Sequence, residues 1–156
     1  MTDIQYRTGS LLDTTERYLA HGCNDRGVMG AGIAPLIKGR FPEAFTAYRE
    51  EYLRRDASLP TGLLIPAESR GKVILNLVTQ HGYGRDKSIL YADYDGIRRA
   101  MAAVDAYVEP QSAVAMPLIG AGLANGRWSI ISRIIAEEAT RFTPVVYLLD
   151  GVIPTD

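Results

Sequence analysis

The sequence predicts an α/β sandwich around a largely parallel central sheet, folded as one domain over residues 1–156. Three observations predict it. Strand-like and helix-like stretches alternate from end to end, the pattern of repeated βαβ units. The later strand-like stretches are continuously apolar, as in strands covered on both faces. Glycine-rich segments at 27–32 and 120–126 follow two of the strands, at the place where open α/β sheets bind their ligands.

Each element has its own signal. A short strand is expected over 4–8, with Ile4 and Tyr6 on one face. A second, over 18–23, ends in the polar pair Asn24-Asp25 and runs into the first glycine segment. Residues 33–38 read as a short helix, in which Pro35 fits only within the first turn. Residues 42–55 read as a clearer helix, because Phe41, Phe45, Tyr48 and Tyr52 recur at helical spacing. Apolar runs at 62–66 and 73–78, joined by Glu68-Ser69-Arg70-Gly71, read as two strands. Residues 79–93 show no apolar period and hold Gly82 and Gly84, so they read as a loop. A helix over 94–107 places Ile97, Met101 and Val104 on one face, and Asp93 stands where its cap belongs. A buried strand over 113–116 ends at Pro117 and enters the second glycine segment. A helix over 129–142 carries Ile130, Ile131, Ile134 and Ile135, and a strand over 145–149 follows.

Composition narrows the function. Apolar residues make up 47% of the chain, the share of an ordinary globular domain. Seventeen basic and 18 acidic residues leave a net charge of −1, which provides no field for coating nucleic acid. A single cysteine, Cys23, and two histidines, His21 and His81, are too few for a cysteine- or histidine-rich metal centre. No metal or cofactor is expected. The apolar runs fall short of the ~20 residues a membrane span needs. The first residues, MTDIQYRTG, hold no apolar stretch of signal-peptide type. A soluble cytoplasmic domain is the expectation.

The glycine segments carry the chemistry. Glycine lets backbone N–H groups approach an anion, and a helix start adds a favourable partial charge. Two such loops at neighbouring strand ends would grip one diphosphate from two sides. Neither is a P-loop, since no Gly-Lys-Ser/Thr follows, and neither carries the dinucleotide fingerprint.

These residues also carry a family resemblance. The run from His21 to Ala34, HGCNDRGVMGAGIA, resembles the first ligand loop of the macrodomain family, and Phe41-Pro42-Glu43-Ala44 continues it. Asn76-Leu77-Val78-Thr79-Gln80 and Tyr94-Asp95-Gly96-Ile97 resemble the middle of that domain. Met116-Pro117-Leu118-Ile119-Gly120-Ala121-Gly122-Leu123 resembles its second loop, with Trp128 opening the next helix. The variety most similar holds ADP-ribose 1″-phosphate phosphatases and terminal ADP-ribose glycohydrolases.

The resemblance implies a three-layer α/β/α sandwich with a mixed, largely parallel sheet, and an ADP-ribose pocket. Gly30, Ala31, Gly32 and Ile33 would line the diphosphate and distal ribose. Ile119, Gly120, Ala121, Gly122 and Leu123, entered through Pro117, would close over it. Asn24 would hydrogen-bond the distal ribose, and Leu149 would pack near the adenine. Ser10 and Leu11 follow the first strand, where many family members have an aspartate that accepts the adenine amino group. A serine accepts without charge, and Asp13 is the nearby substitute.

Two departures bear on mechanism. Glycohydrolases of this type place a lysine nucleophile where this chain has Gln80, and an acid where it has Ala124. An amide cannot act as the amine nucleophile. Lys87, seven residues on, reads as a solvated loop lysine. Phosphatase chemistry instead needs a positioned ribose and an acid or base, and Asn24, Asp25 and His81 are the candidates. His21 reads as a satisfied core histidine and Cys23 as a small apolar filler. The expected function is therefore ADP-ribose binding with hydrolysis of ADP-ribose 1″-phosphate. The alternatives are a non-catalytic reader of free or protein-linked ADP-ribose, with ADP-ribosylated protein as partner, and a weak de-ADP-ribosylating hydrolase.

Overall fold

A computed structural model describes residues 1–156. The strands are β1 (Gln5–Thr8), β2 (Tyr18–Asn24), β3 (Leu64–Ser69), β4 (Lys72–Gln80), β5 (Ser112–Met116) and β6 (Phe142–Leu148). The helices are α1 (Ala34–Arg40), α2 (Pro42–Arg54), α3 (Tyr94–Tyr107) and α4 (Trp128–Glu138). All six strands join one sheet in the order β1-β6-β5-β2-β4-β3. Every pairing is parallel except β3 with β4. The sheet is therefore mixed and largely parallel, as expected.

The continuously apolar strands have the burial that their sequence requires. In β4, Ile74 and Val78 pack on the side of α1 and α2, while Val73, Leu75 and Leu77 pack on the side of α3 and α4. Alternate residues face opposite layers, so a strand covered on both sides must be apolar at nearly every position. The larger core lies under α3 and α4 and includes Ile97, Met101, Val104, Ile131 and Ile135. Proline is tolerated in β3 because β3 is an edge strand. No helix is long and apolar enough to cross a membrane.

Several boundaries differ from the sequence expectation. The helix expected over 129–142 stops at Glu138, and Phe142 opens β6 instead. Asp105 on α3 causes this: its Oδ1 accepts from the backbone N–H groups of Thr140 and Arg141, at 2.9 and 2.7 Å. Those N–H groups are thereby held in a turn. β3 runs on through Glu68 and Ser69, so only Arg70-Gly71 turns the hairpin. β4 extends two residues beyond the expected Val78. A single 3-10 turn at Leu11–Asp13, capped by the Ser10 hydroxyl, was not legible as an element. Asp93 caps α3 as expected, accepting from the Gly96 N–H at 3.1 Å.

Candidate functional site

The carboxyl ends of β2, β4 and β5 open into one cavity of about 620 Å³. Gly22, Cys23 and Asn24 form its floor. Gly22 must lack a side chain, because a Cβ there would lie 2.6 Å from the Thr79 hydroxyl. One wall is residues 28–34, between β2 and α1; the facing wall is residues 117–124, between β5 and α4. Gly30, Ala31, Gly32, Ile33, Pro117, Ile119, Gly120, Ala121, Gly122 and Leu123 all line the cavity.

The two walls are built to donate. The backbone N–H groups of Gly30, Ala31, Gly32 and Ile33 donate to nothing within the protein, and neither do those of Gly120, Gly122 and Leu123. Most of these residues are exposed at the cavity, so their N–H groups are open to solvent and free to converge on an anion. Their glycines differ in purpose. At Gly30 and Gly122 an added Cβ meets only open space. Gly120 adopts φ +77°, and its Cβ would press on Ile97 and Ile131, both at 3.1 Å. Its conformation closes the turn, whereas Gly122 keeps the mouth clear.

Asn24 sits on the floor with its side chain largely engaged. Its Oδ1 accepts from the Arg26 N–H at 2.8 Å and its Nδ2 donates to the Val28 carbonyl at 3.0 Å. One N–H of the amide remains for a ligand hydroxyl. The buried Tyr48 hydroxyl lies 2.9 Å from Asn24 Oδ1 and accepts from the Gly27 N–H at 3.0 Å. Sequence reasoning treats Tyr48 only as part of an apolar stripe. The overlooked signal is that a buried tyrosine hydroxyl needs a partner. Burial also pushes its pKa far up, so it stays a neutral hydrogen-bonding group.

Asp25 and His81 come together, but outside the cavity lining. Each is instead engaged by polar groups of the protein. His81 Nδ1 is 3.3 Å from Asp25 Oδ2, and its Nε2 is 3.2 Å from Asp93 Oδ2. Asp25 Oδ1 accepts from the Gly82 N–H at 2.8 Å. Burial raises the Asp93 pKa, but hydrogen bonds from Thr61 and the Gly96 N–H, with His81 and Arg99 nearby, hold it below the usual range. The cluster ties β2, the segment after β4 and the start of α3 together.

Ser10, Leu11 and Leu149 also lie outside the cavity lining, at the adjoining ends of β1 and β6. Ser10 Oγ accepts from the Leu12 N–H, Leu11 is buried, and Leu149 is exposed. Ile33 links the two regions, since it lines the cavity and packs on the cluster that holds Leu11. Asp13 faces Arg40 at 4.0 Å.

Gln80 and Ala124, the two departures, both line the cavity. Gln80 turns its amide to the Gly82 carbonyl at 3.0 Å. Ala124 presents no polar side chain, and its carbonyl accepts from the N–H groups of Tyr91 and Ala92. Lys87 does not reach the lining. Tyr83 and Arg85 do, and Arg85 is the one charged residue there.

His21 and Cys23 are structural. Asn76 Nδ2 donates to the carbonyls of Ala44 and Ile65, so its Oδ1 faces His21 Nε2, 2.6 Å away, and the Nε2–H tautomer follows. Burial lowers the His21 pKa to about 4, against the raising effect of the Asn76 hydrogen bond. Burial pushes the Cys23 thiol well up, which leaves it unreactive.

Comparisons with known proteins agree with this architecture. The Macro domain family model matches residues 20–135. The ADP-ribose 1″-phosphate phosphatase of Meyerozyma guilliermondii is 31% identical, over 88% of this chain and 95% of that protein. The DNA ADP-ribosyl glycohydrolase of Mycobacterium tuberculosis is 27% identical, over 83% of this chain but 37% of that longer protein. A solved macrodomain protein from Streptomyces coelicolor superposes with a TM-score of 0.74 at 27% identity, covering 94% of this chain and 99% of that one. With both loops facing one cavity and the family pattern running from β2 into α4, this chain belongs to the Macro domain family.

Proposed function

We propose that this macrodomain binds ADP-ribose and removes the phosphate of ADP-ribose 1″-phosphate. One observation carries the reading: two walls of unpaired backbone N–H groups face each other across a cavity of about 620 Å³. That volume lies within the usual range for small-molecule sites. The diphosphate lies between the walls. The adenine extends toward the apolar end formed by Ile33, Leu11 and Leu149, with Ser10 beside it. The distal ribose points toward the polar end at Gln80 and Tyr83, and Asn24 holds it with the remaining N–H. The relative from Meyerozyma guilliermondii, matched along nearly its whole length, supports the phosphatase activity. A lone buried cysteine suits the reducing cytoplasm, the proposed location.

No lysine, carboxylate or histidine lines the cavity. Lysine-based glycohydrolysis is therefore not the proposed chemistry, and phosphate release relies on orientation by the floor and walls. The same observation favours a second reading, a non-catalytic reader of free or protein-linked ADP-ribose.

Calorimetric titration and phosphate release together test both readings. ADP-ribose is expected to bind far more tightly than AMP, since only the former spans both walls. Each lost hydrogen bond to a charged phosphate costs about 1.5–3 kcal/mol. Equal affinities would overturn the site. Phosphate release from ADP-ribose 1″-phosphate is expected, with Asn24→Ala slowing it on the order of 100-fold through lost orientation. Tight ADP-ribose binding without any phosphate release would establish the reader.

A further inference from the structure

We infer that Arg85 is the residue with which this chain distinguishes ADP-ribose 1″-phosphate from ADP-ribose, its guanidinium holding the terminal phosphate. The inference rests on the ligand orientation proposed above. Arg85 is the one charged residue on the cavity lining. The backbone walls suit a diphosphate, but a phosphate monoester adds a further charge of about −1.5 to −2 at neutral pH. Shielding that charge calls for a cation at the ribose end. A guanidinium is the side chain whose planar fork matches phosphate oxygens.

The position is right for this task. Arg85 lies in the segment after β4, on the side of the cavity away from β1 and β6. That is the polar end, shared with Gln80 and Tyr83. Its side chain makes no hydrogen bond and no ion pair within the protein. The backbone around it is held on both sides. Before it, the Gly82 N–H donates to Asp25 at 2.8 Å. After it, Asn125 Nδ2 donates to the carbonyls of Asp86 and Ile89, at 3.0 and 2.7 Å. The Asp86 carboxylate is occupied by Ser88, whose N–H donates to it at 2.9 Å. The exposed guanidinium is free to meet a ligand, and because the loop backbone is already anchored, binding has to order only the side chain. Asn125 belongs to the turn that closes the second wall, so diphosphate and terminal-phosphate contacts are built on one frame.

The test compares two ligands on one variant series. ADP-ribose and ADP-ribose 1″-phosphate are titrated into the wild-type protein, Arg85→Met and Arg85→Lys. Arg85→Met is expected to weaken the 1″-phosphate complex about 10- to 100-fold, the range for a hydrogen bond to a charged group. ADP-ribose affinity should change by less than about 3-fold, because the backbone walls that hold it keep their donors. Arg85→Lys should recover part of the loss, since it restores the charge without the fork. An unchanged affinity ratio, or equal losses for both ligands, would overturn the inference. If the wild-type protein binds neither ligand, the proposed function and this inference fall together. If it discriminates through Arg85 but releases no phosphate, the phosphatase reading alone falls.

Discussion

Asp25 and His81 are 56 positions apart in the chain, and His81 Nδ1 stands 3.3 Å from Asp25 Oδ2. The contact joins the end of β2 to the segment after β4 while leaving both side chains off the cavity lining. The Asp25 carboxylate also accepts from the Gly82 N–H at 2.8 Å, so the pair ties the segment that carries Tyr83 and Arg85 to β2. His81→Ala is accordingly expected to lower kcat/KM for phosphate release by less than about 10-fold, below the ~100–10,000-fold range of a lost general acid or base. Asp25→Ala removes the Gly82 tie as well, so its KM should rise further. Steady-state phosphate release measures both. A kcat loss of about 100-fold or more for His81→Ala at unchanged KM would place the imidazole in the chemistry.

The two wall glycines should separate binding from stability. Gly122→Glu puts a carboxylate into open space at the cavity. Repulsion and bulk should abolish ADP-ribose binding while the melting temperature stays near wild type. Gly120→Val forces a β-branched residue into φ +77° and against Ile97 and Ile131. Strain and overpacking should together destabilise the fold by about 2–4 kcal/mol. Thermal melts and titrations on the same samples distinguish the two. A fully stable Gly120→Val protein would show that this turn tolerates a side chain.

Acid should weaken the fold through His21. Its folded pKa, about 4, lies below the ordinary 6.5. As pH falls, the unfolded chain takes the proton first. The contribution is present above pH 6.5 and is lost as pH falls toward 4. Its full size is about 3 kcal/mol. Urea unfolding at pH 7, 5.5 and 4.5 should show a progressive loss that is smaller in His21→Leu. That variant should also be less stable at every pH by about 1–3 kcal/mol, because Asn76 Oδ1 loses its donor. An equal pH dependence in both proteins would assign the acid sensitivity elsewhere.

Much of the fold is legible from local chemistry. The Phe41–Tyr52 spacing defines a helix without reference to anything distant, and so does the Asp93 cap. The strands of β2, β4 and β5 are apolar enough to demand two covering layers. The split between α4 and β6 is not local, because Asp105 imposes it from another helix. The glycine walls were legible because both the need for backbone approach and the family pattern mark them.

The sequence by itself determined the α/β class, the two glycine-rich loops and the absence of a lysine at Gln80. Each depends on residue type within a short window. Only the tertiary structure decided which polar side chains face the cavity. It joined Asp25 to His81 beside the lining, gave Asn24 and Tyr48 a shared hydrogen-bond network, and left Arg85 as the one charged residue on the lining. Side-chain direction in a loop depends on partners contributed by other strands and helices. Here Asp93 and Asn125 supply those partners, and nothing in residues 81–91 announces either one.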